Sequence, residues 1–130
     1  MTKTAIQMVK TSLLRHIEGF SEKRVCWLRD KILKEGIWVK PLALDQEHNL
    51  VLDGQHRMEV ALSIGLKCVP AVKYDYSSVK VWSLRENYEF DWVRVVDTVL
   101  SGTIYPYKTV KHEFGPSFPS CNHPLDELMI

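Results

Sequence analysis

The sequence lacks an excess of charge of either sign: 17 Lys and Arg stand against 16 Asp and Glu in 130 residues. Such a balance supplies no bulk positive field to hold a polyanion, so nucleic acid is not an expected partner. A few converging donors can still bind a small phosphorylated ligand, because that depends on local geometry and not on net charge. Also lacking is any apolar run long enough to span a bilayer, and the first ten residues hold no continuous apolar stretch of signal-peptide length. Neither membrane insertion nor secretion is expected, and the cytoplasm is the expected compartment. Cysteine is scarce. Cys26, Cys68 and Cys121 are odd in number, far apart and without a second cysteine at metal-ligand spacing, which fits a reducing environment. His48 and His123 form no zinc constellation with any of them, so no structural zinc is expected. The chain shows no internal repeat and no low-complexity block.

What is there has ordinary globular proportions, 45% apolar and 25% charged residues, and a chain of this length is expected to fold as one domain over 1–130. Ser21 caps a predicted helix whose apolar positions Val25, Leu28, Ile32 and Leu33 follow a helical period to about Glu35, with Gly36 as its stop. Residues 39–44 and 50–52 read as short strands around an Asp45–Asn49 turn, with Pro41 suggesting an edge or a strand start. After Leu52 the pattern switches at once to a helix through Met58, Val60, Ala61, Leu62 and Ile64, ended by Gly65. Residues 69–74 and 79–84 are β-branched and apolar, hence strands. Trp92, Val95, Val96, Val99 and Leu100 recur at helical spacing before Gly102. Beyond Tyr105, Pro106, Pro116, Pro119 and Pro124 predict an extended, irregular tail. Trp27, Trp38 and Trp92 read as core or pocket-lining aromatics.

The strand ending at Asp53-Gly54 feeds a helix starting near Gln55, and such a start leaves backbone N–H groups unpaired at the positive end of the helix dipole. That is an anion site. Gly54 permits close approach to the backbone, while His56 and Arg57 offer charge-assisted hydrogen bonds to phosphate oxygens. Asp53 has two readings, a helix cap or a carboxylate holding a divalent metal that bridges phosphates. Taken singly, Arg57 reads as an ion-pair residue and His56 as a structural histidine; the signal lies in all five residues of the turn together.

Leu50-Val51-Leu52-Asp53-Gly54-Gln55-His56-Arg57, followed by Ala61, Gly65 and Val69-Pro70, resembles the ParB/sulfiredoxin superfamily signature. Sulfiredoxins place a catalytic cysteine just before His-Arg, where this chain has Gln55, so a reductase of that type is disfavoured. The nearer resemblance is to the free-serine kinases of the superfamily, which carry Asp-Gly-His-His-Arg in this turn; Gln55 replaces the first of those histidines. Arg15-His16-Ile17-Glu18, some twenty residues ahead of Gly36-Ile37-Trp38-Val39-Lys40-Pro41, resembles their amino-terminal segment, with Glu18 where their catalytic glutamate falls. Gly102-Thr103-Ile104-Tyr105-Pro106-Tyr107-Lys108-Thr109-Val110-Lys111-His112 is similar to their carboxy-terminal segment, Lys111 standing for an arginine. An extra segment usual in these kinases between residues 79–82 and the last helix is missing.

The resemblance implies an α/β (α+β) fold, a small mixed sheet flanked by about three helices. It also implies transfer of a phosphoryl group from ATP or ADP to the hydroxyl of a free amino acid, L-serine first. In that reading Glu18 accepts the hydroxyl proton, Asp53 organises Mg2+, and Gly54, Gln55, His56 and Arg57 hold the nucleotide phosphates. Lys108, Thr109, Lys111 and His112 bind the amino acid, and Trp82 walls its pocket. His16 binds phosphate or shapes its loop, and Lys40 contacts an anion or charges an edge strand. The short chain and aromatic-rich tail leave room for a homodimer. The alternative is a non-catalytic nucleotide-binding module akin to the ParB partition domains that bind CTP, against which stands the lack of a helix-turn-helix segment after the core. A nuclease ranks last, since no carboxylate pair is spaced for two metals.

Overall fold

The apolar runs at 42–45, 50–52 and 69–72 are buried at every position, the pattern of strands covered on both faces rather than on one. A computed structural model describes residues 6–83, 85, 88–89, 91–114 and 118–129. In it the chain runs β1 (Ile6–Lys10), α1 (Glu22–Glu35), β2 (Ile37–Trp38), β3 (Leu42–Asp45), β4 (Val51–Asp53), α2 (Gln55–Ile64) and β5 (Cys68–Tyr74). It continues through β6 (Lys80–Ser83), α3 (Trp92–Leu100), β7 (Val110–Glu113), β8 (His123–Pro124) and α4 (Leu125–Leu128). The central sheet has the order β1-β5-β3-β4. β3 runs parallel to β5 and antiparallel to β4, and β1 is antiparallel to β5, so the sheet is mixed. This is the α/β class the sequence implies.

Strand alternation divides the core in two. Leu42, Leu44, Val51, Val69 and Ala71 face one cluster, which α1, α2 and α4 close with Val25, Ile32, Met58, Ala61, Leu125 and Leu128. Ala43, Leu50 and Leu52 face the other, closed by Val95, Val96 and Val99 of α3 together with Tyr105 and Val110. The β3–β4 connection is built on Asp45, whose buried carboxylate accepts from the amides of Leu50 (2.7 Å), His48 (3.2 Å) and Glu47 (3.3 Å). Ser21 caps α1 as expected, its side chain accepting from Arg24 N, and Gly36 ends the helix in the left-handed region.

Several expectations are corrected. The strand expected from 39 starts only at Leu42, because Pro41 has no N–H to give a ladder and Ile37–Trp38 pairs instead with β8. The tail is not irregular: β7 pairs antiparallel with β6, β8 pairs with β2, and Leu125 and Leu128 are 7% and 1% exposed in the main core. Each proline removes only its own N–H, and burying two leucines gains about 1.5–3 kcal/mol apiece. Trp38 is buried, with its indole N–H donating to the Lys40 carbonyl, and Trp92 lines a small pocket with Tyr76 and Val96, but Trp27 is 63% exposed. Leu33 is also exposed, so the apolar stripe of α1 is narrower than its spacing suggests. Among the described residues no helix is long and apolar enough to cross a membrane.

Candidate active site

β4 ends at Asp53, and Gly54 turns the chain into α2 with φ +111°. That conformation is open to glycine and strained for other residues. A Cβ at this position would stand 2.5 Å from Leu42 Cδ2 and 3.0 Å from Arg57 Nη2. The glycine therefore leaves room first for Leu42 and then for the Arg57 side chain beside the start of its own helix. Asp53 does not cap α2: the N-cap is Gly54, no side chain bonds to the cap, and the Asp53 side chain is 48% exposed. Its Oδ2 lies 3.6 Å from Arg57 Nη2 and 3.9 Å from Lys40 Nζ, charge neighbours beyond hydrogen-bond length.

The Arg57 guanidinium is largely buried, yet its Nε and Nη2 have no hydrogen-bond partner among the described residues. Burial pulls its pKa below the ordinary value while Asp53 opposes the shift, and an arginine stays charged regardless. Leaving two N–H groups of a cation unpaired in a buried place costs on the order of 1–3 kcal/mol or more, unless an acceptor arrives from outside the chain. His56 accepts a hydrogen bond at Nε2 from the Ser21 amide (3.1 Å). Burial, then Arg24, Arg57 and His16, hold its pKa down, so the ring is neutral with its hydrogen on Nδ1. Tyr107 meets it edge-on, ring centroids 5.4 Å apart.

Glu18 comes from the segment before α1. Its backbone is locked to Tyr105 by Gly19 N to Tyr105 O and Tyr105 N to Ile17 O, both 2.8 Å. Its carboxylate accepts at Oε2 from the amides of Thr109 (3.0 Å) and Val110 (2.9 Å). Burial raises its pKa above the ordinary 4.5, outweighing those amides and the nearby Lys111 and Arg85. A positioned carboxylate with an elevated pKa is a suitable proton acceptor near neutrality.

These groups line one cleft of about 550 Å³. Of the residues singled out from sequence, Glu18, Asp53, Gly54, Gln55, His56, Arg57, Lys108, Lys111 and His112 all lie along it, as does Lys40. Two do not. Trp82 is not among the lining residues; it sits on β6 with Lys80 Nζ 5.5 Å from its ring centroid. Thr109 is fully buried, and its hydroxyl donates to the Pro106 carbonyl (2.6 Å), so its share in the site is the backbone amide that holds Glu18. Gln55 lines the cleft, but the residue is 6% exposed and its side chain is committed to Val51 O and His16, so the backbone amide is what it offers at the helix start. His112 is a neutral wall: burial draws its pKa down to about 4, and its Nε2 lies 2.7 Å from the Tyr76 hydroxyl.

Sequence reasoning missed Arg24 and Leu28 of α1, and Tyr107 and Phe114 beside β7, all of which line the cleft. The first two are four apart on one helix face, a signal present in the spacing, but only the packing of α1 on α2 decides which face meets the cleft. With Arg24, Lys40, Arg57, Lys108 and Lys111, five cations meet two carboxylates, so the cleft is basic although the chain is nearly neutral. Among the described residues no three of His, Cys, Asp and Glu gather to hold a metal. Asp53, half-exposed, fits Mg2+ as one carboxylate ligand, with the remaining oxygens coming from phosphates and water.

No protein-family model matches the chain. Solved structures match it nearly end to end. A conserved protein from Pyrococcus furiosus superposes with a TM-score of 0.86 at 14% identity, covering 98% of this chain and 99% of that one. A free serine kinase in complex with AMP superposes with a TM-score of 0.83 at 16% identity, covering 98% and 95%. The chain therefore has the fold that these two proteins share, a compact mixed α/β fold. C-terminally truncated SbnI from Staphylococcus aureus superposes with a TM-score of 0.83 at 11% identity, over 95% of this chain and 88% of that one. In sequence, a ParB-like protein of Sulfolobus acidocaldarius is 35% identical over 66 residues, which span 51% of this chain and 30% of that relative.

Proposed function

We propose that this chain transfers a phosphoryl group from a nucleotide, ATP or ADP, to the hydroxyl of a free amino acid, L-serine first, giving O-phospho-L-serine. The observation that carries the reading is the Arg57 guanidinium, buried at a helix start without a side-chain cap, its Nε and Nη2 lacking a hydrogen-bond partner and only Asp53 near it at 3.6 Å, in the same cleft as a carboxylate of raised pKa. The first feature asks for an anion and the second for a proton. Phosphoryl transfer consists mainly of such positioning and charge neutralisation.

The amides at the start of α2, with Arg57 and the Nδ1–H of neutral His56, hold the donor's phosphates. Glu18 takes the hydroxyl proton as the serine oxygen bonds to phosphorus and the bond from phosphorus to the donor's bridging oxygen breaks. Lys108 and Lys111 receive the amino-acid carboxylate, and Leu28 and Phe114 supply apolar wall. Asp53 would hold Mg2+, which when bound neutralises charge on the phosphate oxygens. Similarity of fold to a free serine kinase seen with AMP, and to a glutamate-to-alanine variant of it seen with ADP, supports this assignment. A second reading, a nucleotide-binding module without transfer, draws on the likeness to a ParB-like protein.

Mass spectrometry of reactions containing Mg2+, ATP or ADP, and L-serine, L-threonine, homoserine or ethanolamine in turn separates the two. O-phospho-L-serine is the expected product. Nucleotide binding without any phosphorylated acceptor would overturn the kinase reading in favour of the module.

A further inference from the structure

Gln55 opens α2 with its side chain turned away from any ligand role. Its amide nitrogen donates to the Val51 carbonyl, leaving Oε1 to meet His16 Nδ1 at 2.6 Å. The other ring nitrogen of His16 lies 2.7 Å from Oε2 of Glu59, one turn further along the same helix. Each ring nitrogen thus meets an oxygen of α2, one from an amide and one from a carboxylate. Phe20 covers the imidazole, ring centroids 5.1 Å apart. One histidine thus staples two turns of α2 to the segment that leads into α1, and Ser21 N to His56 fastens that segment a second time. Glu18 lies between the two fastenings.

We infer that Gln55, His16 and Glu59 form a positioning clamp, which holds the Glu18 carboxylate on the Thr109 and Val110 amides and fixes the base relative to the phosphate-binding start of α2. None of the three touches reacting atoms. Gln55 suits the place because one uncharged amide both donates to Val51 and accepts from His16, whereas a leucine would leave both partners short. The consequence for turnover rests on the kinase reading; the consequence for Glu18 geometry does not.

Amide hydrogen exchange, ADP calorimetry and turnover on Gln55→Leu and Glu59→Ala test the clamp against wild type. The Glu59 side chain is 27% exposed, so its truncation spares the core, and this variant carries the test should Gln55→Leu not fold. The expected result is exchange at Thr109 and Val110 about tenfold faster and kcat about tenfold lower, the weight of one or two hydrogen bonds. Exchange at Val69 and Val72 should stay unchanged, with ADP affinity held within about threefold, less than the loss of one hydrogen bond to a charged group. Wild-type exchange at Thr109 and Val110 in the variants would refute the clamp whatever the activity, and so would faster exchange with kcat intact in an active enzyme. Loss of ADP affinity in Gln55→Leu without faster exchange would return Gln55 to the phosphates and also refute it. A wild type without turnover would count against the kinase reading alone and leave the exchange rates to decide.

Discussion

Two carboxylates line the cleft in unlike surroundings. Glu18 is half-buried, held at one oxygen by two backbone amides, and pushed up in pKa by desolvation. Asp53 is half-exposed, caps nothing, and stands between two cations at 3.6 and 3.9 Å. The same functional group thus meets two environments: desolvation raises the pKa of Glu18, while Asp53 is left half-exposed beside Lys40 and Arg57.

The sharpest way to break this contrast is to neutralise Glu18 without changing its shape. Glu18→Gln should lower kcat by about 100-fold or more, the usual weight of a general base, while ADP affinity measured by calorimetry stays within a few-fold. Arg57→Ala should act on the opposite quantity. Losing a buried guanidinium aimed at phosphate weakens ADP binding by about 10- to 100-fold, corresponding to 1.5–3 kcal/mol for hydrogen bonds to a charged group. Asp53→Asn should raise the Mg2+ concentration needed for half-maximal turnover by about tenfold and leave metal-free ADP binding unchanged, as expected for loss of one carboxylate ligand.

Two smaller effects concern the frame. Gly54→Ala places a Cβ against Leu42 and Arg57 at φ +111°, and should cost about 1–3 kcal/mol in urea unfolding while displacing the guanidinium. His112 supplies a pH signature. Its folded pKa of about 4 lies below the ordinary 6.5, so the unfolded chain binds the extra proton first. Its contribution to stability is complete above about pH 6.5 and is lost as the pH falls toward about 4, an upper bound of about 3 kcal/mol. Urea unfolding of His112→Gln should show a shallower decline across that window than wild type.

Much of the fold is legible in the sequence because its signals are local. Ser21 and Gly36 bracket α1, Gly65 ends α2, and the spacing of Val95, Val96 and Val99 marks α3. The strand-to-helix turn from Asp53 to Arg57 is legible for the same reason, since Gly54 and the switch of apolar period are both local in sequence. What the sequence hides depends on pairing at a distance. Pairing of the Pro-rich tail with β2 and β6 depends on partners some thirty to eighty-five residues away, which no local pattern encodes. Trp82 and Thr109 stand beside residues that line the cleft, Trp82 paired with Lys111 and Thr109 between Lys108 and Val110, yet neither lines it, and only tertiary packing settles that. Gln55 has a contact that is hidden for a different reason. It stands in a turn that is local in sequence, but its side chain finds His16 across 39 residues of chain.

Phosphorus-31 NMR of the wild-type chain and the Glu18→Gln variant, each with Mg2+, ADP or ATP, and L-serine, tests most directly whether the cleft is a phosphoryl-transfer site with Glu18 as its base. A phosphomonoester resonance of O-phospho-L-serine should grow in the wild-type sample and stay absent from the variant over the same time, with nucleotide bound in both. Equal growth in the two samples would contradict Glu18 as the base, and no growth in either would contradict the kinase itself.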